Sequence, residues 1–151
     1  KREWRYIPLR FVESGHENLW KYKVLLSAAN GASGTLGQEP ARITTTPFLG
    51  EPGTGFTQTF IGIGAFETEN EANACLKYLK SKFARTTLAI LKVTQDNKKP
   101  AWKYVPLQDF TQDSDIDWSK SIPEIDQQLY KKYGLDEKEI QFIESHVKEM
   151  A

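Results

Sequence analysis

The sequence predicts an α+β domain, with a mixed, mainly antiparallel sheet packed with a central basic amphipathic helix and followed by a C-terminal helical hairpin. Three observations predict it. Short aromatic and threonine-rich runs with partial two-residue alternation, punctuated by glycine and proline, describe strands joined by turns. A capped run with apolar residues every three and four positions describes one helix in the middle of the chain. Two further helical runs, split by a glycine, close the sequence.

Residues 20–26, Trp-Lys-Tyr-Lys-Val-Leu-Leu, are aromatic and β-branched and form the first strand. The glycines and small polar residues of 27–37 make a flexible loop. Residues 42–47, Arg-Ile-Thr-Thr-Thr-Pro, suit a second strand stopped by proline, Glu51-Pro-Gly-Thr-Gly is a turn, and residues 56–64 are a third, half-buried strand. The helix starts at Thr68, which stands at capping-box spacing from Glu71. Behind it Ala72, Cys75, Leu76, Leu79 and Phe83 make one apolar stripe, while Lys77, Lys80 and Arg85 fall on the other side of the wheel. Leu88, Ile90, Leu91 and Val93 continue this helix or turn into a strand. Residues 96–100 read as a loop and 102–106 as a short extended piece. After the acidic Asp113-Ser-Asp-Ile-Asp-Trp, residues 122–133 form a helix ended by Gly134, and residues 136–148 form its partner in the hairpin. The chain divides into an α/β unit over 1–110 and an acidic helical extension over 111–151, which packs on that unit or on a longer parent protein.

With 151 residues, 39% of them hydrophobic, the chain is long and apolar enough for one compact domain with its own core. Cys75 is the single cysteine, so no internal disulfide forms. No apolar run is long enough to span a bilayer and no secretory signal is present; together these point to the cytoplasm and away from the membrane. The start at Lys1, directly in a dense segment, reads as a piece of something longer. The zero net charge hides an asymmetry. Residues 1–103 hold fifteen cations against nine carboxylates, residues 104–151 five against eleven, and 74–103 eight against the lone Asp96.

Several chemistries lack their residues. Phe60-Ile-Gly-Ile-Gly has the form that methyltransferases use to bring backbone close to S-adenosylmethionine, and it equally describes a strand whose glycines let another element pack closely. No Pro-Pro occurs to hold a target amine, and no acid stands about twenty residues on to bind a ribose, since after Glu71 the next is Asp96. The glycine loop lacks the Gly-Lys-Ser/Thr ending of a phosphate-binding loop. Asp96-Asn-Lys98 has part of a metal-dependent nuclease motif but no upstream acid that completes it. His16 and His146 are isolated, and Cys75 sits on the apolar stripe as a small core residue. What remains is binding. Lysines and arginines on one face suit a phosphate backbone, each releasing a counterion, and amide and hydroxyl groups on loops suit base edges. The candidates for duplex DNA are Lys77, Lys80, Lys82, Arg85, Lys92, Lys98, Lys99, Arg42, Thr45 and Gln95, with Gln38, Thr44, Thr46 and Asn97 of the same kind. A charged helix face that is merely solvated is the competing reading.

A resemblance adds to this. Trp20-Lys-Tyr-Lys-Val-Leu-Leu-Ser, Thr59-Phe-Ile-Gly-Ile-Gly-Ala-Phe-Glu-Thr-Glu-Asn-Glu-Ala, Tyr78-Leu-Lys-Ser-Lys-Phe-Ala-Arg, Lys92-Val-Thr-Gln, Val105-Pro-Leu-Gln-Asp-Phe, Asp115-Ile-Asp-Trp and Leu129-Tyr-Lys-Lys-Tyr-Gly-Leu-Asp-Glu-Lys-Glu-Ile follow one another. This succession resembles the C-terminal part of bacterial restriction-modification enzymes of the type II and type I families, in which an adenine-specific DNA methyltransferase domain, sometimes with an endonuclease, comes first. The resemblance implies a non-catalytic, mixed α/β target-recognition module over 1–110 for double-stranded DNA in bacterial defence. It also implies that the upstream methyltransferase or nuclease domain is a partner, and that S-adenosylmethionine, with Mg where the parent also cuts, is bound there and not here. Two alternatives stay open: a protein-interaction domain that docks onto that upstream part, and a catalytic domain that binds S-adenosylmethionine at Phe60 to Gly64.

Overall fold

Tyr22–Ser27 (β1) is the central strand of an antiparallel sheet, flanked by Phe48–Gly50 (β2) and Phe60–Phe66 (β3) in the order β2-β1-β3. Leu25 pairs with Phe48 on one side and Gly62 on the other, and Ser27 pairs with Phe60. Four consecutive residues of β1, from Lys23 to Leu26, are buried. Because neighbouring side chains point to opposite faces, both faces of this strand are covered. The computed structural model describes residues 3–12, 15–29, 36–92, 94, 96–97 and 99–151. Among these, the sheet is joined by helices Glu69–Lys80 (α1), Lys82–Ala89 (α2), Ile122–Lys132 (α3) and Glu137–His146 (α4), an α+β fold.

The helix ends follow the sequence closely. Thr68 and Glu71 make the expected reciprocal cap on α1, and Asp136 and Glu139 make another on α4. The α3 helix stops in a Schellman turn. Gly134, at φ 65°, donates to the Lys131 carbonyl and Leu135 donates to the Tyr130 carbonyl, closing the last orphan acceptors. The α3–α4 pair is thus the expected helical hairpin. Val24 and Ile43 meet Cys75, Leu79, Phe83 and Leu88 from α1 and α2, and Ile125, Leu129, Ile143 and Val147 from the acidic extension, in one hydrophobic core. The extension therefore packs on the sheet-and-helix unit.

Three expectations are corrected. The central helix is not continuous. Ser81, at ψ 149°, leaves the helical region to end α1, and its hydroxyl accepts the Ala84 amide to start α2. The break is reinforced from α3, where the Asp126 carboxylate accepts the Lys82 and Phe83 amides at the positive end of α2. Re-aimed by this break, α2 turns Arg85 inward, so it does not share an outer face with Lys77 and Lys80.

Residues 42–47 do not form the second strand, which lies instead at Phe48–Gly50. Ala41 bridges in parallel to Val147, and the chain then folds over in a γ-turn in which the Thr44 amide donates to the Arg42 carbonyl across Ile43, at φ 68°. Residues 102–106 are not an extended piece, because Lys99–Tyr104 is a 3-10 helix with Pro100 near its start and the Trp102 indole bonded to the Asn97 carbonyl.

Candidate nucleic-acid interface

The loop-borne candidates and the helix-borne candidates part company in the fold. Consider the helix first. The Lys77 ammonium donates to three successive carbonyls, Trp118 at 2.8 Å, Ser119 at 3.3 Å and Lys120 at 2.8 Å. Lys82 pairs with Glu144 and also reaches the Glu144 carbonyl. Arg85 is 1% exposed; its Nε donates to the Lys80 and Ser81 carbonyls and its Nη1 to that of Arg42. Burial draws its pKa down to about 10 against the favourable field of Asp126. Lys92 is 2% exposed and donates to the Ile43 carbonyl at 2.7 Å. Even Lys23, in the middle of β1, is fully buried, with its ammonium on the carbonyls of Asn18, Leu19, Lys21 and Glu51. Much of the cationic excess is spent inside the protein, satisfying backbone carbonyls where the chain turns. Of this group Lys77 and Lys80 on α1 and Lys82 on α2 stay half-exposed.

The loop residues behave differently. The end of β1 at Ser27 and Ala28, the approach to β2 at Pro47, and the start of β3 at Thr59 lie side by side, because Ser27 pairs with Phe60 and the Ala28 amide donates to the Thr59 carbonyl. A fourth segment joins them: Asp96 bridges to Ala29, the Asn97 amide donates to the Ala28 carbonyl, and the Asn97 side-chain amide donates to the Ser27 carbonyl. Asn97 is itself buried, a brace between segments. Around this end of the sheet stand Arg42, Thr46 and Lys99, all exposed, and Thr45, half-exposed with its hydroxyl turned inward. The Arg42 guanidinium accepts its position from Thr46, donating to that hydroxyl at 3.0 Å. Gln95 and Lys98, and residues 30–35 of the glycine loop, lie outside the described residues.

The sequence reading missed part of this end. Thr57, Gln58 and Thr59 are exposed beside it, with the two threonine hydroxyls bonded to each other at 2.8 Å. The strand expected over residues 56–64 begins only at Phe60, where the alternating Phe60-Ile-Gly-Ile-Gly run starts, and leaves these three on the loop before it.

Loop 42–47 is held from beneath. Arg85 takes the Arg42 carbonyl and Lys92 takes the Ile43 carbonyl, so both peptide oxygens flanking the left-handed Ile43 are fixed by buried cations. A β-branched residue at positive φ is strained by about 1–3 kcal/mol. Burial of the Ile43 side chain, 2% exposed in the core, offsets that strain.

The glycines of Phe60 to Gly64 are spoken for. A Cβ at Gly62 would lie 2.6 Å from the Phe56 ring and 3.0 Å from the Asn18 side chain, and one at Gly64, where φ is 77°, would lie 2.2 Å from the Phe66 ring. Aromatic rings occupy the space beside both, which is the close-packing reading of the motif.

No family model, curated protein or solved structure matches this chain. Among the described residues no three or more His, Cys, Asp or Glu side chains gather as metal ligands, and no helix is long and apolar enough to cross a membrane.

Proposed function

We propose that the chain is a non-catalytic DNA target-recognition module of a bacterial restriction-modification enzyme, and that it meets duplex DNA with the loop end of its sheet and not with the outer face of its central helix. The observation that carries this reading is the gathering of Arg42, Thr46, Thr57, Gln58, Thr59 and Lys99 around one rigidly braced sheet end. A guanidinium, an amide and hydroxyls held on loops by a stiff scaffold are the groups that reach phosphates and base edges. The likeness of Val105-Pro-Leu-Gln-Asp-Phe and the Leu129 to Ile140 block to restriction-modification proteins supports the same reading. S-adenosylmethionine, and Mg where cleavage occurs, belong on this reading to the upstream domain, and the site of action is the cytoplasm.

The test is fluorescence anisotropy with duplex DNA across a salt series. Binding is expected to weaken steeply with salt, and R42A and K99A are each expected to lower the slope of log affinity against log salt by roughly one. K77A is expected to leave that slope unchanged. Absence of binding at low salt, or a slope insensitive to Arg42 and Lys99, would overturn the proposal.

A second reading is favoured by a separate observation. Trp4, Tyr6, Ile7, Leu9 and Phe11 are 53–103% exposed in one short stretch. Such a string of large apolar side chains suits a protein partner. On this reading the module docks onto the methyltransferase or nuclease part of its parent. Titration of that part into the module, with W4A and F11A as controls, distinguishes it from DNA binding.

A further inference from the structure

Beneath loop 42–47, α2 and the 3-10 helix at Lys99–Tyr104 close over a cavity of about 10 Å³. Its walls are mostly apolar, with Leu26, Leu79, Leu88 and Trp102 among them, but Thr44 and Arg85 also line it. Those two residues carry the Thr44 hydroxyl and the Arg85 Nη2, both fully buried and both without a hydrogen-bond partner in the protein. Arg85 is otherwise fastened, through Nε to the Lys80 and Ser81 carbonyls and through Nη1 to Arg42. Its remaining N–H groups therefore cannot turn away to other acceptors without breaking those bonds.

We propose that this cavity is a site for one internal water molecule, which accepts a hydrogen bond from Arg85 Nη2 and donates one to the Thr44 hydroxyl. The volume matches the room of a single water, and a water needs at least two polar partners, which these two atoms supply. Larger anions do not fit. A halide would have to shed its hydration shell among leucines for two donors, whereas a water completes both groups without burying a charge. The water is a third fastening under the loop, beside the contacts of Arg85 with Arg42 and of Lys92 with Ile43. It anchors the residue whose amide closes the γ-turn, Thr44. This inference does not depend on what the loop binds.

A high-resolution crystal structure of the protein and of its T44V and T44S variants tests it. One solvent peak is expected within about 3 Å of both Arg85 Nη2 and the hydroxyl in the wild type and T44S, and none in T44V. In solution, hydrogen exchange at the amide of position 44 is expected to quicken roughly five- to tenfold in T44V, the opening expected from one lost hydrogen bond, while amides of Val24 and Leu25 keep their rates. T44S is expected to exchange as the wild type does. The proposal is overturned if the cavity is empty in the wild type, if T44V keeps the peak, or if crystals grown in bromide show an anomalous peak there.

Discussion

The ammonium of Lys77 on α1 lies 2.8 Å from the carbonyl oxygen of Trp118 in the acidic extension, and the neighbouring carbonyls of Ser119 and Lys120 share it. One cation closes the turn that leads into α3. K77M, which keeps the aliphatic stem, is expected to destabilise the protein by about 1–3 kcal/mol in chemical denaturation, because three carbonyls lose a charged donor. K80M is expected to stay within about 0.5 kcal/mol of wild type. Equal effects of the two substitutions would show that the contact contributes nothing.

Burial pushes the Asp126 carboxyl up to about 6, against the pull of the Phe83 and Lys82 amides that it accepts. A carboxyl whose pKa is higher folded than unfolded holds its proton better in the folded state, so its contribution to stability is full below pH 4 and is lost as pH rises through about 6. The loss amounts to roughly 3 kcal/mol at about 1.4 kcal/mol per pKa unit. D126N removes this titration. The difference between wild-type and D126N unfolding free energies is expected to slope between pH 4 and 6 and to be flat above; a difference that is flat throughout would refute the assignment.

Gly64 and Gly134 both sit at positive φ, yet they differ in surroundings. A Cβ at Gly134 meets nothing within 4 Å, whereas at Gly64 it strikes the Phe66 ring. G134A is expected to cost about 1 kcal/mol, the conformational term alone. G64A is expected to cost about 2 kcal/mol or more, since overpacking adds to strain. Thermal melts of the two variants check the order.

Cys75 is 2% exposed, and burial pushes its thiol up to about 12. At neutral pH it is expected to resist a thiol reagent in the native protein and to react once denaturant unfolds the core. Rapid labelling of the folded protein would place Cys75 elsewhere than in the core.

The sequence revealed the parts of this fold that depend on local chemistry. Thr68 with Glu71 and Gly134 after Tyr133 announce helix ends through neighbours a turn away, and the structure keeps both. It misled where a residue's partner lies far along the chain. Lys77, Arg85 and Lys92 lie in a run of eight cations with the lone Asp96, which in sequence looks like a solvent-facing cationic patch. Their partners are carbonyls, which every residue carries and which leave no trace in composition. Arg42 to Pro47 read as a strand because threonine and isoleucine favour one. The γ-turn is imposed by Arg85 and Lys92 from forty or more residues away. The candidate site was legible in its residue types, Arg42 and Lys99 among them, but not in its extent, since Thr57 to Thr59 join it only through pairing with β1.

The short parallel bridge between Ala41 and Val147, closed by the Ala41 amide on the His146 carbonyl and the Lys148 amide on that of Ala41, ties loop 42–47 to residues synthesised long after it. Contacts this distant in sequence carry a large loop-closure entropy and form slowly. On a ribosome the sheet and α1 emerge before α4 is synthesised, so loop 42–47 takes its final shape only after the segment that follows α4 has emerged.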